Sequence, residues 1–172
     1  DIINNNPEYP WTWNSISSNP NIKIDFITNN PHLNWDWERI SRNPAITWND
    51  ISNNPHYQWS WYDISNNTNI TLDIISQNLD KPWCWKLISF NKSITWEFIK
   101  NNVNLDWNWE GISENPNITW DIIVNNPELP WNPISVSINP NISMDIVINN
   151  PNYKWDWQVL SYNKNIHFED IR

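Results

Sequence analysis

Residues 35 to 48 read WDWERISRNPAITW: two tryptophans one residue apart, an Ile-Ser pair, then Asn-Pro. The phrase returns as WTWNSISSNP from Trp11, WSWYDISNNT from Trp59, WCWKLISFNK from Trp83 and WNWEGISENP from Trp107. Trp11, Trp35, Trp59, Trp83, Trp107, Trp131 and Trp155 stand 24 residues apart, and seven frames fit without an insertion. The chain is therefore a tandem repeat, and each residue is one copy of a series solving the same packing problem. Four further rows never vary: Ser from Ser17 to Ser161, Asn from Asn19 to Asn163, Ile from Ile22 to Ile166, and Asn from Asn6 to Asn150.

Each repeat divides into related halves of 11 and 13 residues. Trp35-Asp36-Trp37-x-x-Ile40-Ser41-x-Asn43-Pro44 and Ile118-Thr119-Trp120-Asp121-x-Ile123-x-Asn125-Asn126-Pro127 share one grammar: apolar, cap, aromatic, two variable residues, Ile, Asn-Pro. Asp36, Ser60, Asn108 and Asp156 are good N-cap residues for the first half, and Thr47, Thr71, Thr95, Thr119 and Ser143 for the second. Apolar residues before the cap and four after it, Trp35 with Ile40 and Ile118 with Ile123, have the spacing of a hydrophobic staple. Acids at the second helical position (Asp1, Asp25, Asp73, Glu97, Asp121, Asp145, Glu169) suit the positive end of a helix dipole. Asn can end a helix in the left-handed conformation, and the Pro that follows cannot continue it. The expectation is two helices of about two turns per repeat, too short to stand alone and stable only when stacked. A β-solenoid would suit the Asn rows and the W-x-W alternation. The i, i+3 spacing of Trp37 with Ile40, and the near absence of glycine for sharp corners, argue against it.

The expected fold class is all-α: an α-solenoid of seven 24-residue repeats over residues 1–172, read as one unit. Asp1 aligns with Asp25 and Arg172 with Thr28, so both ends fall inside a repeat and no polar terminal cap is visible. That pattern implies a piece of a longer array, or ends that meet other copies.

The run NPNITWDIIVNNPELPW, from Asn115 to Trp131, resembles the leucine-rich variant repeat, whose 24-residue units carry Asn-Pro turns between short helices. The resemblance covers the whole chain in period and turn chemistry, and implies alternating α and 3₁₀ helices. Trp stands where that family has Leu, Val and Arg. The family's iron–sulfur association does not carry over, because Cys84 is the single cysteine. The Trp-, Asn- and Ile-rich pattern is also similar to tandem repeats in proteins of giant DNA viruses of amoebae. That likeness implies an AT-rich source and a virion or host cytoplasm, and no activity.

Composition narrows the function classes. A net charge of −9 argues against a nucleic-acid partner, which needs clustered Lys and Arg. No apolar run approaches membrane-span length, and no signal peptide is visible. One cysteine excludes an internal disulfide framework and fits a reducing compartment, cytoplasm or virion rather than secretion. Five Asn-x-Ser/Thr sequons, at Asn66, Asn69, Asn91, Asn117 and Asn141, include three in the turn before a cap, where capping accounts for the Thr or Ser. His32 and His56 share a frame that continues as Asn104, Glu128 and Asn152, the behaviour of a solvated turn rather than a metal site. The tryptophans read as core rather than as a stacking platform, the second of each pair more firmly than the first. Pro133 replaces a second Trp and should leave a gap of core size.

No Ser/His/Asp set or Gly-rich phosphate loop breaks the repeat. The expectation is a non-catalytic interaction scaffold, with a structural fibre or layer as the alternative. No cofactor, metal or small-molecule substrate is expected, and the partner is another protein or a second copy. One row has no common chemistry: Ser18, Arg42, Asn66, Phe90, Glu114, Ile138 and Tyr162. On a helix begun at Trp13 this row points away from Ile16 and Ser17. The core does not dictate it, so it is the expected partner-binding face, with Phe90, Ile138 and Tyr162 as anchors. The more uniform row of Ile2, Phe26, Ile74, Phe98, Ile122 and Ile146, interrupted by Asp50 and Asp170, is expected between helices.

Overall fold

The protein, seen in a computed structural model, is all-helical. The structure describes residues 2–6 and 8–167; Asp1, Glu169, Asp170 and Arg172, which entered the reading above, lie outside them. Among the described residues there are fourteen helices of four to six residues and no strand. The repeated helix pairs are those of an α-solenoid, and the β-solenoid alternative is excluded.

Two compact units divide the chain, Asp1–Trp83 and Cys84–Arg172. In the first unit the helices that open each repeat, Trp13–Ser17, Trp37–Arg42 and Trp61–Ser65, stack in sequence. In the second unit Trp109–Glu114, Pro133–Ile138 and Trp157–Leu160 do the same. Between them in sequence lie the second helices, such as Trp48–Asn53, Trp96–Asn101 and Trp120–Asn125.

The caps follow the side chains. Asp36 and Asp156 accept the N–H three residues on, as does Ser60, while Asn108 accepts that of Glu110. Thr47, Thr95, Thr119 and Ser143 also cap, Thr47 with Asp50 as a reciprocal capping box; Thr71 holds the cap position without a side-chain bond.

The helices are shorter than two turns, and Asn does not end them in the left-handed conformation: no described residue has positive φ. Asn43 leaves the helix at φ −65° and ψ 127°, and Asn54 at φ −125° and ψ 55°. Where Asn is the C-cap its N–H bonds the carbonyl three residues back, as Asn43 does to Ile40 at 3.0 Å and Asn30 to Ile27 at 3.1 Å. In the first half the Asn side chain then turns the backbone, Asn43 Oδ1 accepting the Ala45 N–H at 2.9 Å. In the second half Nδ2 donates to the carbonyl four residues back, in all seven copies, at 2.7 to 2.9 Å. Asn therefore terminates these helices through its amide.

Each full repeat sends three aliphatic side chains inward, one from the first helix, one from the turn and one from the second helix. Ile40, Ile46 and Ile51 are such a set, and Ile112, Ile118 and Ile123 another; all are buried.

Candidate functional site

Within each unit three side-chain ladders join successive repeats, and they fix what is left outside. The first is Ser. Ser17, Ser41, Ser89, Ser113 and Ser137 are buried, and each Oγ accepts the N–H of the N-cap residue 19 positions on, at 2.8 to 3.0 Å. That N–H has no acceptor in its own helix. The small side chain thus does more than allow close approach: it satisfies the next helix start.

The second ladder is the first-half Asn. Asn139 Nδ2 donates to the carbonyls of Ser113 (2.8 Å), Asn115 (3.1 Å) and Ile118 (3.1 Å). Asn67 does the same to Ser41, Asn43 and Ile46. A parallel row, Asn69, Asn117 and Asn141, donates to the carbonyls 23 and 25 residues back. These are three of the five sequon asparagines, and their amide nitrogens are engaged in holding repeats together.

The third is Trp. Every first tryptophan donates its indole N–H to the carbonyl of the invariant Asn five residues earlier, at 2.7 to 2.9 Å. Trp35, Trp83, Trp107 and Trp155 are buried. The second tryptophans Trp13, Trp37, Trp61, Trp85 and Trp109 are half-buried, and Trp157 is 63% exposed. The order of burial is thus the reverse of that expected from sequence. The second Trp sits at N1, on the rim of its helix, and meets the following repeat's first Trp edge-on. The pairs Trp13–Trp35, Trp37–Trp59, Trp61–Trp83, Trp85–Trp107 and Trp109–Trp131 have centroids 5.1 to 5.4 Å apart and ring planes at 68° to 89°.

All seven residues of the variable row are exposed: Ser18, Arg42 and Asn66 in the first unit, Phe90, Glu114, Ile138 and Tyr162 in the second. They lie at the C-terminal ends of the first helices or just beyond. Two reach across to the next repeat. Arg42 pairs at 2.8 Å with the buried Asp63, which also accepts the Ser60 hydroxyl at 2.6 Å. Phe90 rests on Gly111, whose added Cβ would lie 3.0 Å from the ring. The chain's single glycine is thus the seat of a row residue, and Phe90, 43% exposed, is partly anchored. Ile138 is 44% exposed and Tyr162 75%. Burial, then the neighbouring Glu110, raises the carboxyl pKa of Glu114.

The rival row is half-buried at Phe26, Ile74, Phe98, Ile122 and Ile146, while Ile2 is exposed. Phe26 packs edge-on to Trp35 and Phe98 to Trp107. His32 and His56 are exposed, and no group of three or more His, Cys, Asp or Glu suited to a metal occurs among the described residues. No helix among the described residues is long and apolar enough to cross a membrane.

No protein-family model matches this chain, and neither a curated protein nor a solved structure matches it.

Proposed function

We propose that the chain is a non-catalytic scaffold whose variable row binds another protein, chiefly through Phe90, Ile138 and Tyr162. One observation carries this reading: large apolar side chains lie exposed at or just beyond the ends of three of the four first helices described in the second unit, at a position where the repeat imposes no residue type. The row four residues earlier, Asn14, Glu38, Tyr62, Lys86, Glu110, Ile134 and Gln158, is equally varied and exposed and shares this outer face, so free variation concentrates on the side of the first helix where a partner would touch. Apolar groups on a rigid support lose little entropy on binding and supply much interface energy. The first unit presents the polar Ser18, Arg42 and Asn66 at the same position of its own repeats.

The test is a photo-crosslinking amino acid placed at Ile138 or Tyr162, with Ile148, an exposed apolar residue of a second helix, as control. Discrete adducts from the row and none from Ile148 support the scaffold. Equal labelling from all three removes the row from consideration. Light scattering across a concentration range addresses self-association: a constant mass fits a scaffold for a different protein, and open-ended growth replaces it with a self-assembling array.

A further inference from the structure

On the outer face of the second unit, acidic and apolar pairs lie side by side. The helix Trp109–Glu114 contributes Glu110 and Glu114, and Pro133–Ile138 contributes Ile134 and Ile138, all four exposed. Gln158 and Tyr162 continue the two rows at Trp157–Leu160, and the three helices stack in that order. Residues four apart share a helix face, so each pair is presented together. Nothing in the repeat requires isoleucine at 134 and 138, since the same positions hold Asn14 with Ser18 and Glu38 with Arg42. Contiguous apolar groups left in water mark contact surfaces.

The acids beside them lack a cation. Neither Glu110 nor Glu114 has an ion-pair partner among the described residues. Lys86, one repeat earlier in the row of Glu110, pairs with Asp106 at 3.6 Å instead. Like charges four apart on a helix repel, and burial, then Glu110, raises the Glu114 carboxyl. A positive group placed between the two carboxylates would remove that repulsion.

We propose that the partner of this face is a basic amphipathic helix of another protein. Its apolar stripe lies on Ile134, Ile138 and Tyr162, and a Lys or Arg at the edge of that stripe meets Glu110 and Glu114. The inference rests on the scaffold reading and adds the partner's chemistry. The described residues present no strand edge for an extended partner's backbone, so docking is by side chains. A helix with apolar residues three and four apart supplies a stripe for such a surface. The net charge of −9 attracts a cationic partner and repels a second copy.

The test is selection on the full chain from a phage library of random peptides about 16 residues long, roughly four helical turns. The enriched peptides should carry apolar residues three and four apart and an excess of Lys and Arg. A synthetic consensus peptide, followed by fluorescence anisotropy, should bind with a Kd on the order of 1–10 μM. Glu110→Gln combined with Glu114→Gln should weaken it about tenfold, through lost attraction to the peptide's cations. Ile138→Ser should weaken it at least about tenfold. Asp121→Asn combined with Asp145→Asn removes the same charge from exposed positions of second helices, and should change binding less than about twofold.

No enrichment overturns the proposal, as does an acidic, uncharged or Pro-rich consensus. Undiminished binding by Ile138→Ser overturns it too. Equal weakening by the two charge-removing pairs would replace it with attraction to bulk charge. Crosslinks from Ile138 and Tyr162 to a contact segment that is not basic would sink this inference and leave the scaffold standing. Absence of row-specific crosslinks sinks the scaffold itself.

Discussion

The indole of Trp35 donates to the main-chain carbonyl of Asn30 at 2.9 Å, and the side chain of Asn30 donates to the carbonyl of Phe26 at 2.8 Å. One invariant Asn thus closes the helix before it and pins the tryptophan after it. With the Ser and first-half Asn ladders, this explains why so much of each repeat cannot vary.

Asn139→Ala removes a buried amide that bonds three carbonyls of the preceding repeat and accepts the Asn141 N–H at 2.8 Å. Urea denaturation should show a loss of about 2–3 kcal/mol. Asn115→Ala, with one such acceptor at 3.1 Å, should cost less, about 1–2 kcal/mol. An unchanged midpoint for both would reduce the row to a conformational preference.

Ser113→Ala leaves the Asn132 N–H, now bonded at 2.9 Å, without its acceptor. The expected cost is about 1–2 kcal/mol. Ser113→Val should cost more, because Ser113 is fully buried and the added methyls have no room. Thermal melts of the two variants that rank Val above Ala would contradict this geometry.

Gly111→Ala gains helix propensity of up to about 1 kcal/mol but drives a Cβ into the Phe90 ring. In the Phe90→Ser background the same change should stabilise by about the full propensity term. A double-mutant cycle should therefore return a coupling above about 0.5 kcal/mol. Zero coupling would mean the ring does not rest on Gly111.

Phe98→Ser should cost about 2 kcal/mol, since its ring packs with Trp85 and Trp107 at 6.4 and 6.1 Å. Tyr162→Ser, at an exposed position, should stay within about 0.5 kcal/mol. A neutral Phe98 and a costly Tyr162 would exchange the roles of the two rows.

The Glu114 carboxyl is raised in the folded state by burial and by Glu110. A raised acid binds its proton more tightly folded than unfolded, so its contribution to stability falls as pH rises through the carboxylate range. Glu114→Gln should thus gain stability relative to the unmodified chain on going from acid to neutral pH. A constant difference across that range would show that the environment of Glu114 exerts no such shift.

The fold class was legible because period, caps and staples are local patterns that 24-residue self-similarity repeats. Whatever depended on contact across the 24-residue step was harder to see. Periodicity placed Trp37 and Ile40 on one helix face, but did not reveal that the buried indole belongs to Trp35, which reaches back to Asn30. The invariance of the Ser row did not reveal its purpose, because the role of Ser17 as acceptor for Asp36 involves a residue 19 positions on. Asn43 suggested a left-handed end, whereas its amide bonds the preceding repeat at Ser17 and Asn19. The variable row was found by its lack of pattern, and all of it is exposed. Gly111 beneath Phe90 gave one faint signal, a lone glycine 21 residues after a lone phenylalanine in that row.

The central claim is that, within each unit, a repeat completes the hydrogen bonding of the next. Amide hydrogen exchange at Asn108, Asn132 and Asp156 tests it directly, because these N–H groups start helices and donate to Ser89, Ser113 and Ser137 of the preceding repeat at 2.8 to 2.9 Å. The account predicts protection comparable to that of the core amide of Ile112, lost at Asn132 in Ser113→Ala. Exchange at the rate of an open loop in the unmodified chain would contradict it.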